Sequence, residues 1–114
     1  MTERPGYKSH PLWQSAMALT RDAYALADRL KATSPEASRR FRKAAVTVPA
    51  HVAAALSGES RRRREHLLLL RGALAELTRL ASKAPGEPSE RLAREAETLE
   101  LSVLFEFGSS ETAR

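Results

Sequence analysis

Apolar residues recur along the chain at helical spacing in four separate stretches. In the first, Leu12, Ala16, Leu19, Ala23, Leu26 and Leu30 follow one another at alternating intervals of four and three. That spacing lines all six along one stripe of a helix and predicts nearly antiparallel packing against neighbouring helices. Trp13, Met17 and Tyr24 lie beside the stripe and widen it. The predicted helix runs from about Pro11 to Ala32. Proline suits the first helical position, because its missing N–H would have no acceptor there.

The second stretch has Ser34 as a candidate N-cap and Pro35 as its first residue, and it reaches about Leu56. Its seam is Phe41, Ala45, Val48, Val52 and Ala55, and Ala50, Ala53, Ala54 and Ala55 make a smooth surface that lets another helix approach closely. Pro49 falls inside the pattern and removes one backbone hydrogen bond, which predicts a kinked or divided helix. Ser57-Gly58 marks a break. The third helix is expected over Ser60–Lys83, with Leu67, Leu70, Leu74, Leu77 and Ala81 on one face. The run Leu67 to Leu70 covers the whole circumference of a turn, more than one core can hide. Ala84-Pro85-Gly86-Glu87-Pro88 reads as a loop. The last helix is expected from Ser89 to near Phe107, with core positions Leu92, Ala96, Leu99 and Val103 and Gly108 at C′. Leu99, Leu101, Val103, Phe105 and Phe107 also alternate with a period of two, as in a strand. A helix is preferred, since no breaker precedes the alternation and no other segment offers a partner strand.

Four helices of about 20 residues each span roughly 30 Å, and with short loops they predict an all-α, antiparallel up-down-up-down four-helix bundle. The bundle occupies residues 11–107, between a flexible lead at 1–10 and a disordered tail at 108–114. Composition agrees: the chain has 20 alanines and 16 leucines but only four valines and no isoleucine, a helix-forming palette. Leu68, Leu69, Leu101, Leu104, Phe105 and Phe107 exceed what one subunit's core needs. Apolar surplus of this kind predicts burial between subunits, with Trp13 as a packed or interface residue.

No cysteine is present, which excludes a disulfide framework, a thiolate zinc site and a cysteine nucleophile. No apolar run approaches the roughly 18 residues of a membrane span. The segment Met1–Pro11 is polar, without the apolar centre of a signal peptide, so the expected compartment is the cytoplasm. No Glu-x-x-His pair of a di-iron bundle, no Gly-x-Ser-x-Gly elbow and no phosphate loop occurs. The expectation is a protein without enzymatic activity, metal or cofactor.

The formal net charge of +5 is concentrated in the middle of the chain. Residues 39–64 hold eight basic groups against Glu59 alone, whereas residues 65–114 hold six basic and nine acidic groups. Arg39, Arg40, Arg42 and Lys43 form a stripe near the start of the second helix. Arg61, Arg62, Arg63 and Arg64 wrap the first turn of the third. Helix N-termini carry partial positive charge, so four arginines there are unfavourable unless that end meets anions. The two clusters are therefore candidate contacts to RNA or DNA phosphates, and the competing reading is a solvated arginine-rich face. Their separation along a straight bundle is expected to be some 30 Å, giving two basic zones. The only nearby aromatic is Phe41, in the seam, which disfavours single-strand binding by base stacking.

Leu12-Trp13-Gln14, the run Arg42-Lys43-Ala44-Ala45-Val46-Thr47-Val48-Pro49-Ala50, and Gly72-Ala73-Leu74-Ala75-Glu76-Leu77 resemble a known family in order and spacing over about residues 7–80. It is the family of small four-helix-bundle proteins named after the 23S rRNA intervening sequence, related to the accessory variability determinant of diversity-generating retroelements. Tyr24 stands where the family has a later aromatic in its first helix. The resemblance implies a homopentameric ring without known enzymatic chemistry. The retroelement relatives use their basic surface to bind nucleic acid and a reverse transcriptase, whereas the rRNA-encoded members have no established activity; the resemblance thus offers nucleic acid and a reverse transcriptase as candidate partners. Five copies would carry a formal charge of about +25, favouring polyanions. Two departures stand out. After the proline the family reads Asn-Ile-Ala-Glu-Gly, whereas this chain has His51-Val52-Ala53-Ala54-Ala55; and the third helix opens on Arg61-Arg62-Arg63-Arg64-Glu65-His66 rather than a less basic, phenylalanine-bearing turn. The alternative to nucleic acid is a homo-oligomeric scaffold for an acidic protein partner.

Overall fold

The computed structural model describes residues 6–57 and 60–108. Four helices make up the fold: α1 (Pro11–Leu30), α2 (Pro35–Ser57), α3 (Ser60–Lys83) and α4 (Glu87–Phe107). Gly58 of the expected break, the first five residues of the expected lead and residues 109–114 of the expected tail lie outside the described residues.

Each helix packs on its chain neighbours, and α1 closes the cycle against α4. Residue numbers rise on one helix as they fall on the next, the mark of antiparallel neighbours. Thr20 meets Ala45 while Asp28 meets Arg42 across α1–α2. Arg63 meets Ala55 and, four residues before it on α2, His51 meets His66 across α2–α3. Arg63 also lies against Phe107 while Arg71 reaches Glu100 across α3–α4. The expected seams form the core. Phe41, Ala45, Val48, Val52 and Ala55 of α2 are fully buried, as are Leu67, Leu70, Leu74 and Leu77 of α3. Leu12, Ala16, Leu19, Ala23 and Leu26 of α1 face them, with Leu92, Ala96, Leu99 and Val103 of α4, and Leu30 packs at the edge. The alternating segment 99–107 is helical, so Leu99 and Val103 point inward while Leu101 and Phe105 point out.

Three local expectations change. First, the lead is ordered over its second half. Tyr7–Ser9 form a 3-10 turn, and the Tyr7 ring sits edge-on to Trp13 with centroids 5.7 Å apart. His10 then caps α1, its Nδ1 accepting from the Leu12 N–H at 3.0 Å. Second, α4 begins two residues earlier than Ser89. Gly86 adopts φ 101°, which favours glycine, and Pro88 falls within the first turn, where no N–H is required. The Ser89 side chain is buried and donates from Oγ to the Pro85 carbonyl at 3.2 Å. Third, α2 is not divided at Pro49 but continues to Ser57 as one helix.

The α1–α2 packing shows how the proline is accommodated. In a helix the N–H of residue 49 would bond the Ala45 carbonyl, four residues back. Proline has none, and Ala45 is fully buried. The Thr20 hydroxyl of α1 lies 3.2 Å from that carbonyl and 2.8 Å from the Ala16 carbonyl of its own helix. One proton is thus shared between an ordinary back-bond and the acceptor that Pro49 leaves open. Thr20 is the one buried polar side chain of α1 among the described residues, and its place on the seam answers a need created on α2.

Candidate nucleic-acid interface

The outer face of α2 and α3 carries the basic clusters. On α2, Arg39, Arg40 and Lys43 are exposed and Arg42 is half-buried. Arg42 is tied to the fold: it pairs with Asp28 of α1, and its guanidinium lies 5.7 Å from the centroid of the Tyr24 ring. Arg40 pairs with Glu36 one turn earlier at 3.4 Å, an exposed contact of small energetic worth. Arg39 and Lys43 meet no carboxylate within salt-bridge distance among the described residues.

On α3, Arg61, Arg62 and Arg64 are exposed and likewise unpaired among the described residues. Arg63 differs. Its Nε donates to the Ala55 carbonyl at 3.1 Å, in the last turn of α2, and its guanidinium lies 5.7 Å from the Phe107 ring centroid. It joins the ends of α2 and α4 to the start of α3, which makes it part of the corner. The four consecutive arginines therefore split into three surface cations and one structural link, because successive residues point about 100° apart around a helix.

Between the clusters runs a groove of about 520 Å³ along α2–α3, bordered by Arg40, Lys43, Thr47 and His51 on one side and Leu68, Leu69 and Glu76 on the other. Following α2 from Arg40 to His51, then α3 from His66 back to Arg62, places the two basic zones about 22 Å apart along the axis. They are closer than the length of the bundle because the α2 cluster begins one turn inside its helix, while Arg61–Arg64 open α3. They remain two zones, with apolar and neutral side chains between them.

The surplus apolar residues form two patches. Leu68 (48% exposed) and Leu69 (57%) stand on the α2–α3 face, whereas Leu101 (66%) and Phe105 (92%) stand on α4 beside a cleft shared with α1. In a four-helix cycle those faces are opposite. Leu104 and Phe107 are only half-buried, and Phe107 packs against the core. Trp13 packs against the core and Tyr7.

Two pairings were not legible from residue spacing along single helices. His51 and His66 approach with Nδ1 atoms 3.1 Å apart and ring centroids 5.3 Å apart. Burial, and then the charge of His66, hold His51 below the ordinary histidine range. These residues lie at nearly equal distances either side of the α2–α3 corner, and that hairpin symmetry is the signal that brings them together. Across α1–α4, Glu95 meets Asp22. Burial foremost, then the hydrogen bond and charge of Asp22, raise Glu95 to about 7 against the lowering effect of Arg91 and Arg94. Its Oε1 is enclosed with no hydrogen-bond partner among the described residues. His10, besides capping α1, lies 3.3 Å from Glu106 through Nε2.

No group of three or more His, Cys, Asp or Glu among the described residues is arranged to hold a metal ion. No described helix is long and apolar enough to cross a membrane. No family model, curated protein or solved structure matches the chain.

Proposed function

We propose that this chain is a non-enzymatic, cytoplasmic, homo-oligomeric four-helix bundle that binds structured nucleic acid by contacting phosphates. The observation that carries the proposal is a set of five cations, Arg39, Lys43, Arg61, Arg62 and Arg64, exposed and without carboxylate partners among the described residues. Phosphate contacts of this type give strong salt dependence and little sequence discrimination. The apolar patches on opposite faces support head-to-tail association, in which one face meets a different face of the next copy and a closing rotation yields a ring. On the family resemblance that ring has five members, and its partner is a reverse transcriptase or an rRNA-associated element.

The test is fluorescence anisotropy with labelled hairpin RNA and duplex DNA across a salt series. The wild-type affinity should fall steeply with salt. The triple variant Arg61→Gln/Arg62→Gln/Arg64→Gln should flatten the logarithmic slope by about 2–3 per bound subunit, near 0.9 for each lost phosphate contact on a duplex. No binding in dilute buffer overturns the proposal.

One observation favours a second reading. Leu68 and Leu69 lie in a groove whose α2 border bears Arg40 and Lys43, a combination suited to an acidic amphipathic helix of a protein partner. In that case neither nucleic acid binds, and Leu69→Glu abolishes capture of the acidic protein.

A further inference from the structure

We infer that His51 and His66 form a two-nitrogen clamp for a borderline transition-metal ion such as Zn²⁺, independent of any nucleic-acid contact. Their Nδ1 atoms stand 3.1 Å apart, one on α2 and one on α3. Two nitrogens at that separation, each about 2.0–2.1 Å from an ion, subtend about 95–102° at it. That angle lies between square-planar and tetrahedral values; the ring centroids, 5.3 Å apart, show the nitrogens facing each other nearly head-on, so each ring turns toward the ion while the helices keep their separation.

The chemistry of the pair agrees with the geometry. Two imidazole nitrogens this close face each other only with a proton between them, and an ion that accepts both lone pairs can replace that proton. Imidazole donors suit Zn²⁺, Cu²⁺, Ni²⁺ and Co²⁺, whereas Ca²⁺ and Mg²⁺ require oxygen ligands. The helices hold the bite fixed. Val52 follows His51 and Leu67 follows His66, and both are fully buried in the α2–α3 interface, with Val48 and Leu70 a turn away. Both rings are half-buried on the outer face, His51 at the border of the groove, which leaves the remaining coordination positions to water. An ion held here bridges α2 to α3 and binds the folded chain in preference to the unfolded one, because the fold brings together two rings 15 residues apart in sequence.

The experiment uses the full chain without an affinity tag at pH 7.5. Adding 1 mM ZnCl₂ should raise Tm by about 5 °C, as expected when the ion is present at some ten times its dissociation constant. Excess EDTA should reverse the rise, and 1 mM MgCl₂ should produce none. His51→Gln and His66→Gln should each abolish the shift, while His10→Gln should keep it. Far-UV circular dichroism without metal checks that the variants fold. If either does not, the ring resonances of the wild-type histidines decide: Zn²⁺ must move those of His51 and His66 and leave His10 in place. Absence of a Tm rise, its persistence in His51→Gln or His66→Gln, or ring shifts confined to His10 overturns the inference.

Discussion

The contact between Thr20 and the carbonyl left open by Pro49 makes a quantitative prediction. Thr20→Val keeps the side-chain shape and removes the hydroxyl that lies 3.2 Å from the fully buried Ala45 carbonyl. Leaving a buried acceptor without its donor costs about 1–3 kcal/mol, and the shared geometry of this hydroxyl places the expected loss near 1–2 kcal/mol. Pro49→Ala restores an N–H at position 49, which can bond the same carbonyl within the helix. Removing proline from a helix interior is worth up to about 3 kcal/mol. The looser unfolded chain takes back about 0.4–1 kcal/mol of that. Strain already relieved by the packed structure reduces it further, so a net stabilisation of about 1–2 kcal/mol is expected. The informative quantity is the coupling. In the Pro49→Ala background Thr20→Val should cost about 0.5 kcal/mol or less, because Ala16 and Ala45 then have ordinary helical donors. The double-mutant cycle therefore closes with an interaction of about 1 kcal/mol. Urea unfolding followed at 222 nm, with all four proteins at one concentration, measures it. Equal costs of Thr20→Val in the two backgrounds would refute the assignment of Thr20 as donor to the carbonyl that Pro49 vacates.

Arg63→Gln should lower stability measurably while changing the salt slope of nucleic-acid binding little, the reverse of the Arg61/Arg62/Arg64 variant; paired urea and anisotropy titrations separate the two. Leu69→Glu and Phe105→Glu, on opposite faces, should each dissociate the assembly without loss of helicity, and a wild-type monomer by light scattering contradicts the interface assignment. Glu95 sits near 7 in the fold, above the ordinary carboxyl range, so the folded state holds a proton that the unfolded state has already released. Stability should therefore fall as pH rises from about 4.5 to 7 and stay lowered above it. Glu95→Gln should remove that fall and be the more stable protein at pH 8, and a pH series of urea midpoints with no difference between the two proteins would count against it.

The helices and their inward faces were legible in the residues alone. The interval pattern of Leu12 to Leu26, the Phe41 to Ala55 seam and the Leu67 to Ala81 face are properties of a 3.6-residue period, and burial follows from period and polarity together. Ends set by backbone geometry were less legible. The start of α4 depended on Gly86 adopting a positive φ and on Pro88 serving in the first turn rather than ending a loop. The basic clusters were visible as composition, but not which members are free. Arg61 to Arg64 are chemically alike in a string of letters, and only the turn of the helix against Ala55 and Phe107 separates Arg63 from the rest. What tertiary structure alone decided are the contacts between residues far apart in sequence: Thr20 beneath Pro49, His51 against His66, Asp22 against Glu95. Periodicity specifies which side of a helix turns inward, because it depends on neighbours three and four residues away. Which polar group meets which across a seam depends on the axial register of two helices, and that is set by the packing of the whole core.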